Sequence, residues 1–91
     1  MKPEPNLQNL YPFDATYQEN LLQCLSEIPG YPFSDEIDRP LAAELMRDFP
    51  EIDLLEQLKA WRWYRVDNPS QLKNPRGALR RWMIRAREFG L

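Results

Sequence analysis

The sequence predicts a small all-α fold of four helices preceded by a proline-rich N-terminal arm. Apolar residues recur at the three- and four-residue spacing of a helix face, and no segment alternates with the period of a strand. The nine prolines fall between the periodic segments, where they punctuate the chain. Its 91 residues predict one modest core, since a chain of this size buries roughly 60–65% of its unfolded surface.

The arm and the first helix are predicted from proline and capping signals. Residues 1–13 contain three prolines and few apolar side chains, so we expect an extended arm. Helix 1 is predicted at about 14–28, with Asp14 as its N-cap and Pro29 as its stop. Its buried stripe is predicted at Tyr17, Leu21, Cys24, Leu25 and Ile28.

Helix 2 is predicted at about 38–49, ending before a proline. Asp38 is expected to cap it, and Pro40 is tolerated in a first turn. The remaining acidic residues have ordinary interpretations, because nothing in their spacing brings them together as a magnesium site or as paired carboxylates. Asp35 and Glu36 are interpreted as loop residues, and Glu44 and Asp48 as a solvated helix face.

Helices 3 and 4 have the clearest start signals, and they complete a single helical domain predicted at 14–91. Asp53 followed by Glu56 is typical of an N-cap with its partner three residues later, which predicts helix 3 at about 54–67. Asn74 followed by Pro75 predicts helix 4 at about 75–89, closed by Gly90.

Several classes of protein are excluded or disfavoured by composition. The chain contains no histidine and one cysteine, which removes histidine-based catalysis, histidine-ligated zinc and an internal disulfide. It also shows no nucleophile motif and no glycine-rich phosphate loop. We therefore expect no enzyme, no metal and no cofactor. Without a long apolar run or a signal peptide, a cytoplasmic protein that does not enter a membrane is expected.

Charge is divided strongly along the chain. Residues 1–53 hold three basic and eleven acidic residues, a net charge of −8, whereas residues 54–91 hold nine basic and three acidic residues, a net charge of +6. Phosphate binding depends on such a local basic face rather than on the total charge. Two interpretations stay open: the basic half binds a partner, or the two halves neutralise each other within the folded chain.

The basic half is concentrated on predicted helices 3 and 4. On a helical wheel, helix 4 places its core arc at Leu79, Trp82, Met83, Ala86 and Phe89. One flank of that arc carries Arg76, Arg80 and Arg87, and the other carries Arg81 and Arg85, so that arginines cover the solvent side.

Helix 3 has a predicted apolar stripe, with cations and one further tryptophan away from it. Trp63 is either an exposed stacking platform one turn from Lys59, or a packing residue. The stripe is predicted at Leu54, Leu55, Leu58, Trp61 and Tyr64. The candidate nucleic-acid-binding residues are Lys59, Arg62, Trp63, Lys73, Arg76, Arg80, Arg81, Arg85 and Arg87.

The run from Phe49 to Trp61 (FPEIDLLEQLKAW), followed by Asn68-Pro69 and by the sequence RRWMIRA at residues 80–86, resembles a C-terminal segment of known replication proteins. These are the phage and prophage replisome-organiser or primosome-type proteins, related in role to the DnaD and DnaT helicase-loading factors. The resemblance covers roughly residues 40–88. It implies contact with DNA, chiefly single-stranded, or with the replicative helicase or its loader. The matched positions are Lys59, Trp61, Arg76, Arg80, Arg81, Trp82 and Arg85, of which the two tryptophans are predicted core residues.

The chain departs from these proteins in one respect. They usually carry a winged-helix domain ahead of this segment, whereas here only the proline-rich arm and one additional helix are predicted before it. The arginine-covered face of helix 4 and this resemblance together predict a nucleic-acid-binding accessory module of a phage-type replication protein. The alternative is a protein–protein interaction module that docks a helicase or loader, or associates with itself through opposite charges. The oligomeric state stays open.

Overall fold

The computed structural model describes residues 15–89, which form four α-helices and no strand. This confirms the all-α prediction. The predicted arm at 1–13, the cap at Asp14 and the terminator at Gly90 lie outside the described residues. Within 15–89, no helix has the length and apolar character needed to cross a membrane. The helices are α1 (Ala15–Ser26), α2 (Asp35–Asp48), α3 (Leu54–Asp67) and α4 (Pro75–Phe89).

The third and fourth helices begin at the predicted caps. The Asp53 carboxylate accepts a hydrogen bond from the Glu56 backbone N–H at 3.4 Å, and the Asn74 side-chain oxygen accepts one from the Gly77 N–H at 3.1 Å. Each side chain satisfies a donor that has no partner inside its helix. Both predicted bounds of α3 and the predicted start of α4 agree with the structure, and α4 continues to the last described residue, Phe89.

The predicted start of α2 is wrong by one turn, because Asp38 lies inside the helix and is not its N-cap. The helix begins at Asp35, which places Asp35 and Glu36 in its first turn rather than in a loop, and Pro40 beyond that turn. The Asp38 carboxylate instead accepts the backbone N–H of Ser34 at 2.9 Å. A donor before the helix is thus satisfied from within it.

α1 also ends earlier than predicted, at Ser26 instead of about residue 28. The Ile28 N–H bonds the Leu25 carbonyl at 3.2 Å, a three-residue spacing tighter than that of an α-helix. The chain then turns at Gly30, whose φ of +77° belongs to the left-handed region that glycine adopts without steric cost.

The core lies between all four helices. α1 packs against α2 and α3, and α4 packs against α3. The largest fully buried apolar side chains are Leu21, Leu25, Leu45, Phe49, Leu54, Leu58, Leu79 and Met83.

Three aromatic residues differ from their predicted core positions. Phe89 is 71% exposed, and Ala86 is the last buried residue of α4. Tyr64 is 47% exposed, and Trp82 is only partly buried. Trp61, by contrast, is buried as predicted. Tyr64 and Trp82 line a groove between α3 and α4.

Candidate nucleic-acid interface

The arginines of α4 separate into two flanks with different surroundings. We call Arg76, Arg80 and Arg87 the paired flank, because it faces the acidic helix α2 and the residues beside it. We call Arg81 and Arg85 the open flank, because neither forms a hydrogen bond or an ion pair with any residue in 15–89. Of the five arginines predicted to cover the solvent side of helix 4, three therefore contact α2 or the residues beside it.

Arg76 is part of a buried network at the start of α2. Its Nε and Nη2 atoms each donate to a different oxygen of Asp38 at 2.9 Å, and Nη2 also donates to the Pro32 carbonyl at 2.9 Å. Asp38 is 0% exposed and also accepts the Tyr31 hydroxyl at 2.5 Å. Burial opposes ionisation of Asp38, but these hydrogen bonds outweigh it and lower its pKa.

Arg80 and Arg87 are held against the other end of α2. The Arg80 Nη2 donates to Asp48 at 2.9 Å, and its Nη1 lies 3.7 Å from Glu44. The guanidinium groups of Arg80 and Arg87 lie 5.4 and 4.6 Å from the centre of the buried Phe49 ring. Glu44 and Asp48 are thus not merely a solvated face, since they bind a cation of α4.

The cations predicted on α3 also have carboxylate partners. Lys59 pairs with Glu56 at 3.5 Å, and Arg62 pairs with Glu27, the residue after α1, at 2.6 Å. Lys59 forms no cation–π contact with Trp63, and the cation–π contacts within 15–89 use Tyr31 and Phe49 instead. Trp63 itself is 64% exposed, which decides against its interpretation as a packing residue.

A groove of about 370 Å³ lies between the C-terminal half of α3, the following loop and the open flank of α4. We call it the α3–α4 groove. Both unpaired arginines of α4 line it, while Lys73 lies exposed in the loop before α4. The lining residues are Trp61, Tyr64, Arg65, Ser70, Leu72, Ala78, Arg81, Trp82 and Arg85.

An aromatic pair forms one part of the groove. The ring centres of Tyr64 and Trp82 lie 5.5 Å apart with an interplanar angle of 48°. The Trp82 indole N–H donates to the Gln57 side-chain oxygen at 3.0 Å, which orients the indole. Since Tyr64 is half-exposed, the pair offers an oriented ring surface to a ligand.

Arg65 is the functional candidate that sequence reasoning missed. It is only 3% exposed and lines the groove, yet no carboxylate in 15–89 pairs with it. Its Nη2 donates to the Ser70 carbonyl, and its Nε has no hydrogen-bond partner. A signal was present: Arg65 follows Leu58 and Trp61 at the spacing of one buried helix face. Assigning Tyr64 to that stripe concealed it.

Comparison with known proteins does not identify a ligand for the α3–α4 groove. The chain matched no protein-family model, no curated protein and no solved structure. The acidic side chains in 15–89 form no group suited to holding a metal ion. The α3–α4 groove itself offers a half-exposed Tyr64 ring for stacking and the unpaired guanidinium groups of Arg81 and Arg85 for an anion.

Proposed function

We propose that the α3–α4 groove binds single-stranded nucleic acid, and single-stranded DNA in particular. The observation that carries the proposal is the position of two unpaired guanidinium groups, Arg81 and Arg85, in one groove with the half-exposed Tyr64–Trp82 pair. Of the nine residues predicted to bind nucleic acid, only these two line the groove. Lys73 lies in the loop before α4 and can add a phosphate contact.

The two kinds of side chain serve different parts of a strand. A base stacked on an aromatic ring contributes about 1–3 kcal/mol with little dependence on sequence. The guanidinium groups neutralise backbone phosphates, and this contribution weakens as salt rises. Because the faces of paired bases are covered within a duplex, the groove favours a single strand.

The cellular role we propose follows from the resemblance to phage replication proteins. The chain would be an accessory module of such a protein, acting without catalysis or cofactor on DNA in the cytoplasm. Contact with the replicative helicase or its loader belongs to the same proposal. The paired flank would not take part in DNA binding, since Arg76 and Arg80 already bind carboxylates of α2.

The test is fluorescence anisotropy with a labelled single-stranded oligonucleotide at several salt concentrations. Each phosphate contact gives a slope of about −0.7 in log affinity against log salt. With Arg81, Arg85 and Lys73 in contact, we expect a slope of roughly −2. The corresponding duplex should bind more weakly.

Matched variants locate the interface. The double change Arg81→Gln and Arg85→Gln should weaken binding at least tenfold and make the slope shallower, since charge-assisted hydrogen bonds are worth roughly 1.5–3 kcal/mol each. Arg47→Gln together with Arg39→Gln removes the same charge from α2, outside the groove, and should leave the affinity within about twofold, a shift of about 0.4 kcal/mol. No binding by the unmodified chain at low salt, or equal losses in both double variants, would overturn the proposal.

A second candidate function is protein docking, favoured by a different observation. Trp63, Val66 and Phe89 are large apolar side chains exposed on the surface. Such residues are typical of interaction sites when they are contiguous. Sedimentation at low and high salt tests its self-association form: association through these apolar side chains persists at high salt, whereas pairing between opposite charges dissociates. A monomer at both salt concentrations argues against that form.

A further inference from the structure

The α3–α4 groove contains a feature that strand binding in general does not require. Arg65 lines the groove and is buried without a carboxylate partner in 15–89: its Nη2 donates to the Ser70 carbonyl, and its Nε has no hydrogen bond. A buried charge is costly unless it is paired. By contrast, the partly buried guanidinium group of Arg76 is paired with the carboxylate of Asp38.

We propose that the groove is a one-nucleotide site, with a phosphate group as the missing counter-ion of Arg65. In this arrangement the phosphate lies among the guanidinium groups of Arg65, Arg81 and Arg85, and the attached base stacks on the Tyr64–Trp82 pair. The proposal rests on the proposed function for the location of the site. It adds the chemical unit that the site recognises.

The charge within the groove supports an anion. Three of its lining residues are arginines, and no acidic residue in 15–89 lines it. Charges of one sign along a cleft with low-dielectric walls reinforce each other and raise the local concentration of the opposite charge. Because Arg65 is nearly inaccessible to water, its charge is screened less than that of an exposed arginine.

Phosphate fits this arrangement better than a carboxylate does. A phosphate monoester carries a charge of about −1.5 to −2 at neutral pH and three strong acceptor oxygens, so it can serve several guanidinium groups at once. The groove volume of about 370 Å³ lies near the lower end of small-ligand sites, which span roughly 300–1,000 Å³. That space suits one nucleotide rather than several.

The first experiment compares ligands by thermal unfolding of the full chain at constant ionic strength. The probes are inorganic phosphate, deoxyribose phosphate and thymidine monophosphate, with sodium chloride as the reference. A ligand that binds only the folded state raises the melting temperature with concentration. We expect both organic phosphates and inorganic phosphate to raise it above the chloride reference, and the nucleotide to raise it most. Equal shifts for phosphate and nucleotide would show no recognition of a base and overturn the one-nucleotide site.

The second experiment tests Arg65 directly. Arg65→Met replaces an unpaired buried charge with an apolar side chain of similar length, so the melting temperature without ligand should stay the same or rise. The nucleotide affinity should fall at least tenfold. A purely structural arginine gives the opposite pattern, with a lower melting temperature and an unchanged nucleotide affinity.

Arg85→Gln keeps the proposal testable if Arg65→Met fails to fold. This side chain is exposed, so its replacement leaves the core intact. We expect a fivefold or greater loss of nucleotide affinity, against no change for Arg47→Gln on α2. An unchanged affinity in Arg85→Gln would overturn the site.

Competition separates this inference from the proposed function. Thymidine monophosphate should displace a bound single-stranded oligonucleotide. If the oligonucleotide binds and the nucleotide neither displaces it nor shifts the melting temperature, the one-nucleotide site is wrong while strand binding stands. If the nucleotide binds and the oligonucleotide does not, strand binding is wrong while the site stands.

Discussion

The two flanks of α4 carry the same residue type and differ in what packs beside them. On the paired flank, Arg76 and Arg80 reach carboxylates of α2, and Arg87 lies over Phe49. On the open flank, Arg81 and Arg85 face a groove that has no acidic residue among the described positions. One helix therefore engages three of its five arginines within the fold and keeps the other two available for a ligand.

The difference shows that the number of cations on a helix is a poor measure of a binding surface. A charge contributes to ligand binding only to the extent that it has not already been neutralised within the fold. On α4 this depends on the neighbouring element: α2 supplies the acids, whereas the α3–α4 loop supplies Ser70 and Leu72.

The largest expected effect on stability is at Asp38. Asp38→Ala removes the carboxylate that Arg76 and Tyr31 share, leaving a guanidinium group and a buried hydroxyl without their partner. Breaking a buried ion pair costs about 3–5 kcal/mol of folding stability. Because Arg76 is partly exposed, we expect a loss at the lower end, about 3 kcal/mol. Urea unfolding measures it. Asp35→Ala, which removes an exposed carboxylate of the same helix, is the control and should cost far less. Equal losses would contradict a buried anchor at Asp38.

The dependence of folding stability on acid pH tests the charge of the Asp38 carboxylate. Because the pKa of Asp38 is lowered in the folded chain, its contribution is complete above the ordinary aspartate pKa of about 3.9. It is lost as the pH falls from there through the lower folded value. The difference in free energy of unfolding between the unmodified chain and Asp38→Asn should therefore shrink from pH 6 to pH 3 in urea titrations. A difference that stays constant would show that Asp38 does not act through its charge.

The overall fold was accessible from the sequence because its signals are local. Asp53 and Asn74 act as caps within their own first turns, so the starts of α3 and α4 could be predicted without tertiary information. The start of α2 was missed although its local signal was present, since Ser34 is the N-cap residue and Asp35 and Glu36 follow it in the first turn. Asp38 looks like a cap in sequence, but its role depends on Arg76, a residue 38 positions away.

The candidate site was only partly predictable for the same reason. The helical wheel separated the two flanks of α4 correctly, yet it contained no information on which flank would meet α2. Arg65 was missed because an arginine in a buried stripe contradicts the usual expectation that charged residues are exposed. A groove formed by three separate segments of chain depends on their packing, which periodicity within one helix does not describe.

A direct comparison of the flanks comes from Arg80→Gln and Arg81→Gln. The first removes a guanidinium group from the Phe49 ring, a contact worth about 0.5–1 kcal/mol, and also an ion pair with Asp48. The second removes an exposed side chain without a partner in 15–89, so its stability should change by less than about 0.5 kcal/mol. Oligonucleotide affinity should show the reverse order, with the larger loss in Arg81→Gln. If Arg80→Gln lost more affinity, the paired flank would belong to the interface.

The smallest expected effect concerns Trp63, the most conspicuous candidate in the sequence. Trp63 is adjacent to Tyr64 in the chain but points about 100° away around α3, and it does not line the groove. Since it is exposed, Trp63→Gln should change stability by less than about 0.5 kcal/mol. Strand affinity should stay within about twofold, whereas Tyr64→Gln should lose about 1–3 kcal/mol of stacking. Anisotropy with the two variants decides between two binding surfaces on α3. If Trp63→Gln weakened binding as much as Tyr64→Gln, the strand would have to cross the outer face of α3, and the open flank would be only one part of a wider interface.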